Sequence, residues 1–333
     1  MKFLVTGAAG FIGFHLAKSL AAEDHQIVAV DDFNAYYSPD LKKLRSNHLL
    51  SKYNVQIHDF SLEDANALSK LIEKSSPDIV IHLAAQPGVR LKISEYHKYT
   101  SRNVISFSNI LHATVDNEIP NFLYASSSSV YGNPQSKRFS ESMSNLIPIS
   151  YYGATKLAGE ILAKSLVRDS NTRARGLRFF TAYGPWGRPD MAYFRLIASL
   201  ISDFSFERFG DGNVQRDFTF ISELIDISTL LAQELALHDK GFHDVVNIGG
   251  GNAVSLNMMI GEIENLLDKK VSIIRSPMNS NDVDFTSADT TYLESLIGKR
   301  PTVRIEQGLS EVINWSVGKE VRPFLGTWAR SVG

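Results

Sequence analysis

Short apolar runs recur through the first half of the chain: KFLVTG, QIVAVDD, NVQIHDF, PDIVIHLAA, NFLYASSS and ARGLRFFTAYG. Each is bounded by turn-forming or polar residues, as strands are. Between them lie stretches with apolar residues at helical spacing, such as FIGFHLAKSLAA and LEDANALSKLIEKS. The runs are nearly continuous rather than alternating, so both faces of the strands are expected to be buried. Strands of that kind, separated by helices, make a parallel sheet covered on both sides. The predicted fold class is α/β, a doubly wound parallel sheet of the Rossmann type.

The rhythm changes after Gly184, where Pro185 and Pro189 break the chain. FISELIDISTLLAQEL reads as a helix and VVNIGG as a strand returning to the first sheet. From about Asn252 the pattern gives two or three helices and a strand at VSIIRS. The expected division is a Rossmann domain over 1–180, rejoined by 219–250. A smaller mixed α/β substrate-binding lobe takes 181–218 and 251–333.

Composition narrows the possibilities. A charged fraction of 21 % beside 44 % hydrophobic residues is ordinary for a soluble globular protein. The net charge of −2, with no long basic run, argues against a nucleic-acid partner. The chain has no cysteine, which excludes a disulfide framework and thiolate metal sites and suits a reducing compartment. No metal site is expected. No stretch reaches the roughly 18 consecutive apolar residues of a membrane helix, so no membrane partner is expected. The N-terminus imitates a signal peptide, but three glycines and a histidine interrupt its apolar run. A cytoplasmic protein is the expectation.

The interruption has a use. GAAGFIG sets Gly7, Gly10 and Gly13 after the first strand and at the mouth of the first helix, with Phe11 and Ile12 between them. Glycine there admits a pyrophosphate to the backbone, and the helix start offers unpaired N–H groups. Asp31 ends the second strand, where a carboxylate hydrogen-bonds an adenosine ribose. Its charge would repel a 2′-phosphate, so NAD is favoured over NADP. Asp59, followed by Phe60, ends the third strand and is placed at the adenine edge.

SYYGATK supplies candidate chemistry. Tyr152 and Lys156 are four residues apart and share one helix face. A free tyrosine has a pKa of ~10, and lowering it to ~7 takes about 3 units, or ~4 kcal/mol. One nearby cation supplies ~1–3 units, and a cationic nicotinamide can add the rest. On spacing alone, an ordinary surface pair fits better. YASSSSVYG tips the balance, because it puts a row of hydroxyls at the carboxyl edge of the sheet, where ligands of such folds bind.

Together, GxxGxxG, a serine-ended strand followed by VYG, and YxxxK resemble the extended short-chain dehydrogenase/reductase family, in particular its nucleotide-sugar epimerases. The resemblance covers nearly the whole chain. It implies an isomerase with bound NAD and a UDP-sugar substrate, working as a homodimer. Tyr152 would be the base, Ser127 would bond the reacting sugar oxygen, and Lys156 would also hold the nicotinamide ribose. HLAAQPGVR looks like the family's loop after strand four, with Leu83, Ala84 and Ala85 along the cofactor. Asn103 matches a position near the nicotinamide, and Arg216 of RDF matches an arginine that grips the diphosphate.

FFTAYGPWGRPDMA is similar to the segment found in UDP-glucuronate 4-epimerases. The implied reaction inverts C4 through a 4-keto sugar, with Ser128, Ser129 and Thr181 receiving the C5 carboxylate and Arg188 or Arg90 nearby. The 4,6-dehydratases carry Asp–Glu where Ser128 and Ser129 stand. Alternatives are a UDP-glucose or UDP-N-acetylhexosamine 4-epimerase, a UDP-glucuronate decarboxylase, or a non-catalytic sensor of NAD or nucleotide sugar. Two departures bear on sugar identity. NSNDVD replaces a QPGDVP-like stretch while keeping Asp282, a substrate-binding candidate, and VRLKISEYH brings Lys92 to the pocket rim.

Overall fold

The apolar runs of the first half lie side by side in one parallel sheet, in a computed structural model that describes residues 1–89, 91–277 and 283–331. Its strands are β1 (Lys2–Thr6), β2 (Gln26–Asp31), β3 (Ile57–Asp59), β4 (Ile79–His82), β5 (Asn121–Ser127) and β6 (Arg173–Phe179). After β7 (Thr181–Tyr183), β8 (Phe206–Phe209) and β9 (Gln215–Phe220), the chain returns to this sheet as β10 (His243–Ile248). The order is β10-β6-β5-β4-β1-β2-β3. β1 pairs with both β2 and β4, so the winding reverses there and opens a crevice at the strands' carboxyl ends.

The first helices are α1 (Phe11–Ala22), α2 (Pro39–Tyr53), α3 (Ala65–Ser75) and α4 (His97–Thr100). A π-helical turn, Ser101–Ile105, links α4 to α5 (Ser106–Asp116), and α6 (Tyr151–Val167), α7 (Ala192–Ile201) and α8 (Ile221–Leu235) follow. Alternate strand residues feed opposite cores. Phe3 and Val5 pack with Phe14 of α1 and Leu224 of α8, whereas Leu4 packs with Ile72 of α3 and Ile110 of α5.

ARGLRFFTAYG, read as one strand, is two. The chain leaves the large sheet after β6, and Phe180 separates it from β7, which pairs with β9 in a second, three-stranded sheet. There β9 pairs with β11 (Ala253–Ser255), while β8 pairs with β12 (Ile273–Ser276). Four helices complete the chain: α9 (Leu256–Leu267), α10 (Thr291–Ile297), α11 (Ile305–Ser316) and α12 (Arg322–Arg330). Phe194, Met259, Leu309 and Trp328 share a further core with Tyr37 and Leu41. Among the described residues, no helix is long and apolar enough to cross a membrane.

Candidate active site

A cavity of about 790 Å³ opens above the carboxyl ends of the large sheet, lined also by residues of β7, α7, β8 and β9. At one end lies the glycine turn. The first turn of α1 packs so closely that a Cβ on Gly13 would sit 2.1 Å from the Gly7 carbonyl oxygen. No side chain caps α1, so its first N–H groups remain available to an anion. Gly7, Gly10, Phe11, Ile12 and Gly13 all line the cavity, as do Phe60 and the 83–85 stretch.

Asp31 also lines it. Its Oδ2 accepts the Ala9 N–H at 3.0 Å and its Oδ1 the Phe33 N–H at 2.9 Å, with Lys42 Nζ 3.8 Å away. Burial raises its pKa, and Lys42 is the largest opposing influence. The carboxylate thus shapes the glycine turn.

Asp59 is exposed on the edge strand, next to Phe60, which lines the cavity. Asn103 is buried behind the loop that follows β4. Its Oδ1 accepts the Gln86 N–H at 2.7 Å, and its Nδ2 donates to the Gln86 carbonyl at 3.1 Å and to Thr155 Oγ1 at 3.0 Å. In this way it braces the loop. Its neighbour Arg102, which the sequence did not single out, lines the cavity and donates to Gln86 Oε1 at 3.0 Å.

The reacting end is built by α6 against β5. Ser150 Oγ caps α6, accepting the Gly153 N–H at 3.0 Å, and so fixes the turn that carries Tyr152. Lys156 Nζ donates to the Ala125 carbonyl at 2.8 Å. Burial lowers the Lys156 pKa to about 8. Burial also raises the pKa of Tyr152, opposed by the Arg188 guanidinium and by a hydrogen bond with Ser127. Arg188 is thus a cation that acts on the phenol, while the Lys156 ammonium is held on a backbone carbonyl.

Ser127, Ser128, Ser129 and Thr181 line the cavity beside Tyr152. Ser127 Oγ lies 3.2 Å from Ser129 Oγ and accepts the Ser129 N–H, so the serines also order one another. Arg188 is clamped by Asp190, through Nε to Oδ1 at 3.0 Å and Nη2 to Oδ2 at 2.5 Å. The Tyr36 hydroxyl donates to the same carboxylate at 3.2 Å.

The segment bearing Arg188 is tied down from α1 and α2. His15 Nε2 donates to the Pro185 carbonyl at 2.9 Å. The fully buried Arg45 donates to the carbonyls of Ala9 at 2.9 Å and Gly187 at 3.1 Å, and also to that of Trp186. Trp186 itself holds a left-handed φ of 61°. Sequence reasoning missed Tyr36, Arg45 and Asp190, because their roles rest on contacts between distant segments.

Arg216 lines the cavity from β9. Beside it, the buried Asp217 accepts the N–H groups of Gly250, Gly251 and Ala288 at 2.8–2.9 Å, and burial brings its pKa up to about 6. Arg90 and Asp282 lie outside the described residues.

The family described as "NAD dependent epimerase/dehydratase family" matches residues 3–249. Protein CapI of Staphylococcus aureus is 37% identical over 328 residues, 95% of this chain and 98% of that protein. A probable UDP-glucuronate 4-epimerase of Rhizobium meliloti is 34% identical, with 95% and 96% covered. The crystal structure of UDP-glucuronic acid 4-epimerase from Bacillus cereus, in complex with UDP-glucuronic acid and NAD, superposes with a TM-score of 0.88. It is 33% identical, with 95% and 98% covered.

Proposed function

The chain belongs to the NAD dependent epimerase/dehydratase family, and from that premise we propose that it interconverts UDP-glucuronate and UDP-galacturonate by inverting C4. The observation that carries the reading is that Tyr152 lines one cavity with Ser127, Lys156 and Arg188, and with the uncapped glycine turn and Asp31. The residues fit NAD: the free N–H groups of α1 suit a pyrophosphate, and Asp31 suits a ribose without a 2′-phosphate. Bound there, NAD would take hydride from C4 and give it back to the other face of the 4-keto sugar.

The chain's own residues supply the proton chemistry and the grip. Tyr152 as phenolate removes the C4 hydroxyl proton and later returns it. Ser127 donates to the reacting oxygen and holds it at Tyr152. Lys156, fixed on Ala125, orients the nicotinamide ribose. Arg216 binds the diphosphate. Ser128, Ser129 and Thr181 hold the C5 carboxylate, with Arg188 close by. That grip matters because a 4-keto uronate is a β-keto acid and loses CO₂ when its carboxylate aligns with the carbonyl orbital. The chain acts as a homodimer, a reading supported by the exposed Ile105, Ile161 and Leu162 on the helical flank of the sheet.

The purified protein, incubated with UDP-glucuronate and no added cofactor, should yield UDP-galacturonate, followed by the anomeric proton signals. A UDP-pentose as the main product would make it a decarboxylase. Turnover of UDP-glucose or UDP-N-acetylglucosamine alone would make it a neutral-hexose epimerase.

A further inference from the structure

Tyr152, Lys156 and Glu160 recur every four residues and line one face of α6. That face meets three consecutive residues of β5. Ser127 partners Tyr152, and the Ala125 carbonyl takes Lys156 Nζ at 2.8 Å. Ser126 Oγ donates to Glu160 Oε1 at 2.5 Å. The first two contacts belong to the site already described, and the third does not.

Glu160 is buried, and so is its partner Arg178, which lies opposite Ser126 on β6. Arg178 Nε reaches Oε1 at 2.9 Å and Nη2 reaches Oε2 at 2.8 Å, a two-pronged pair. Arg178 Nη1 then donates to the Tyr131 hydroxyl at 2.9 Å, which donates to Asn247 Oδ1 of β10 at 2.7 Å. The Asn247 amide closes the chain on the Phe139 carbonyl at 2.7 Å, and Glu141 accepts its backbone N–H at 2.7 Å. The network joins α6 to three neighbouring strands directly beneath the serine turn.

Such a network is poorly explained by stability alone. A buried ion pair can often be exchanged for apolar residues of similar volume at no loss. A forked guanidinium–carboxylate pair supplies what apolar packing does not, a fixed distance and angle. A small misplacement of catalytic groups is costly, on the order of 100-fold in rate for about 1 Å.

We propose that Glu160 is a positioning residue: it fixes the rotation and height of α6 on β5, and thereby keeps the Tyr152 hydroxyl on Ser127 while Lys156 stays on Ala125. This rests on Tyr152 being the base, which Tyr152→Phe tests separately. If that variant keeps full activity, the base assignment falls, whatever Glu160 does.

The test uses the purified full chain with its resident cofactor and two variants, Glu160→Gln and the apolar exchange Glu160→Met/Arg178→Leu. The double variant should fold, retain NAD and melt no lower than the parent, yet turn over roughly 10–100-fold more slowly, with KM for UDP-glucuronate changed less than about threefold. Glu160→Gln, where it folds, should show the same split between kcat and KM. A double variant with parental kcat would overturn the proposal, because packing alone would then suffice. So would a Glu160→Gln deficit that vanishes once rates are corrected for the folded fraction.

Discussion

The Lys156 ammonium lies 5.9 Å from the centre of the Tyr152 ring and bonds the Ala125 carbonyl. Its service to the phenol is therefore through space, and it depends on the lysine staying charged. Burial brings its pKa to about 8. As pH rises through that value the free enzyme loses the cation, so kcat/KM should decline on the alkaline side. Lys156→Met should remove that limb and lower kcat/KM by roughly 100-fold, the upper part of the range typical of acid–base groups. The sign for stability is the reverse. The folded pKa lies below the unfolded value of about 10.4, so the unfolded chain binds more protons between about pH 8 and 10.4. The contribution of Lys156 to stability should rise across that window, as measured by denaturant titration of parent and variant.

Arg188 favours the phenolate of Tyr152. Without that cation the tyrosine pKa rises. In Arg188→Gln the acid limb of the kcat profile should therefore move to higher pH by about one unit or more. At a fixed pH on the limb this reads as a loss of ~10-fold. An unmoved limb would mean that Arg188 serves the substrate only.

Asp31, assigned here to the choice of cofactor, also holds Lys42. Asp31→Ser removes the carboxylate that repels a 2′-phosphate and leaves Lys42 without its acid. Affinity for NAD should fall, and the NADP-to-NAD affinity ratio should rise by more than ~10-fold, the value of ~1.4 kcal/mol. Fluorescence titration of cofactor-stripped protein measures both.

The serine row should be read out by product, not only by rate. Ser128→Ala with Thr181→Val removes two hydroxyls from the place assigned to the C5 carboxylate. KM for UDP-glucuronate should rise ~10-fold, in keeping with the loss of one or two hydrogen bonds. CO₂ release should appear during turnover. An unchanged product and an unchanged KM would move the carboxylate elsewhere.

The sequence displayed whatever depends on local pattern. The strands of the large sheet, the glycine turn, Asp31 and the Tyr152/Lys156 helix were legible because apolar period and turn chemistry are written residue by residue. α2 was not, since its buried face carries Lys42 and Arg45, and a polar buried face leaves no apolar stripe to read. The split of ARGLRFFTAYG was hidden because a strand leaving one sheet for another keeps its apolar run. The bracing of the loop by Asn103 was not legible, because Gln86 and Thr155 reach it from distant segments. Tyr36, Arg45 and Asp190 were invisible for the same reason, since pairing across more than a hundred residues leaves no trace in spacing.

The stretch from Gly184 to Asp190 bears on attempts to change the sugar this protein accepts. Its shape is dictated by His15, Arg45 and Tyr36, which come from the first fifty residues of the chain. Transplanting that stretch from a relative would carry the arginine but not its moorings. A successful graft must bring the facing positions of α1, α2 and the loop before α2 along with it.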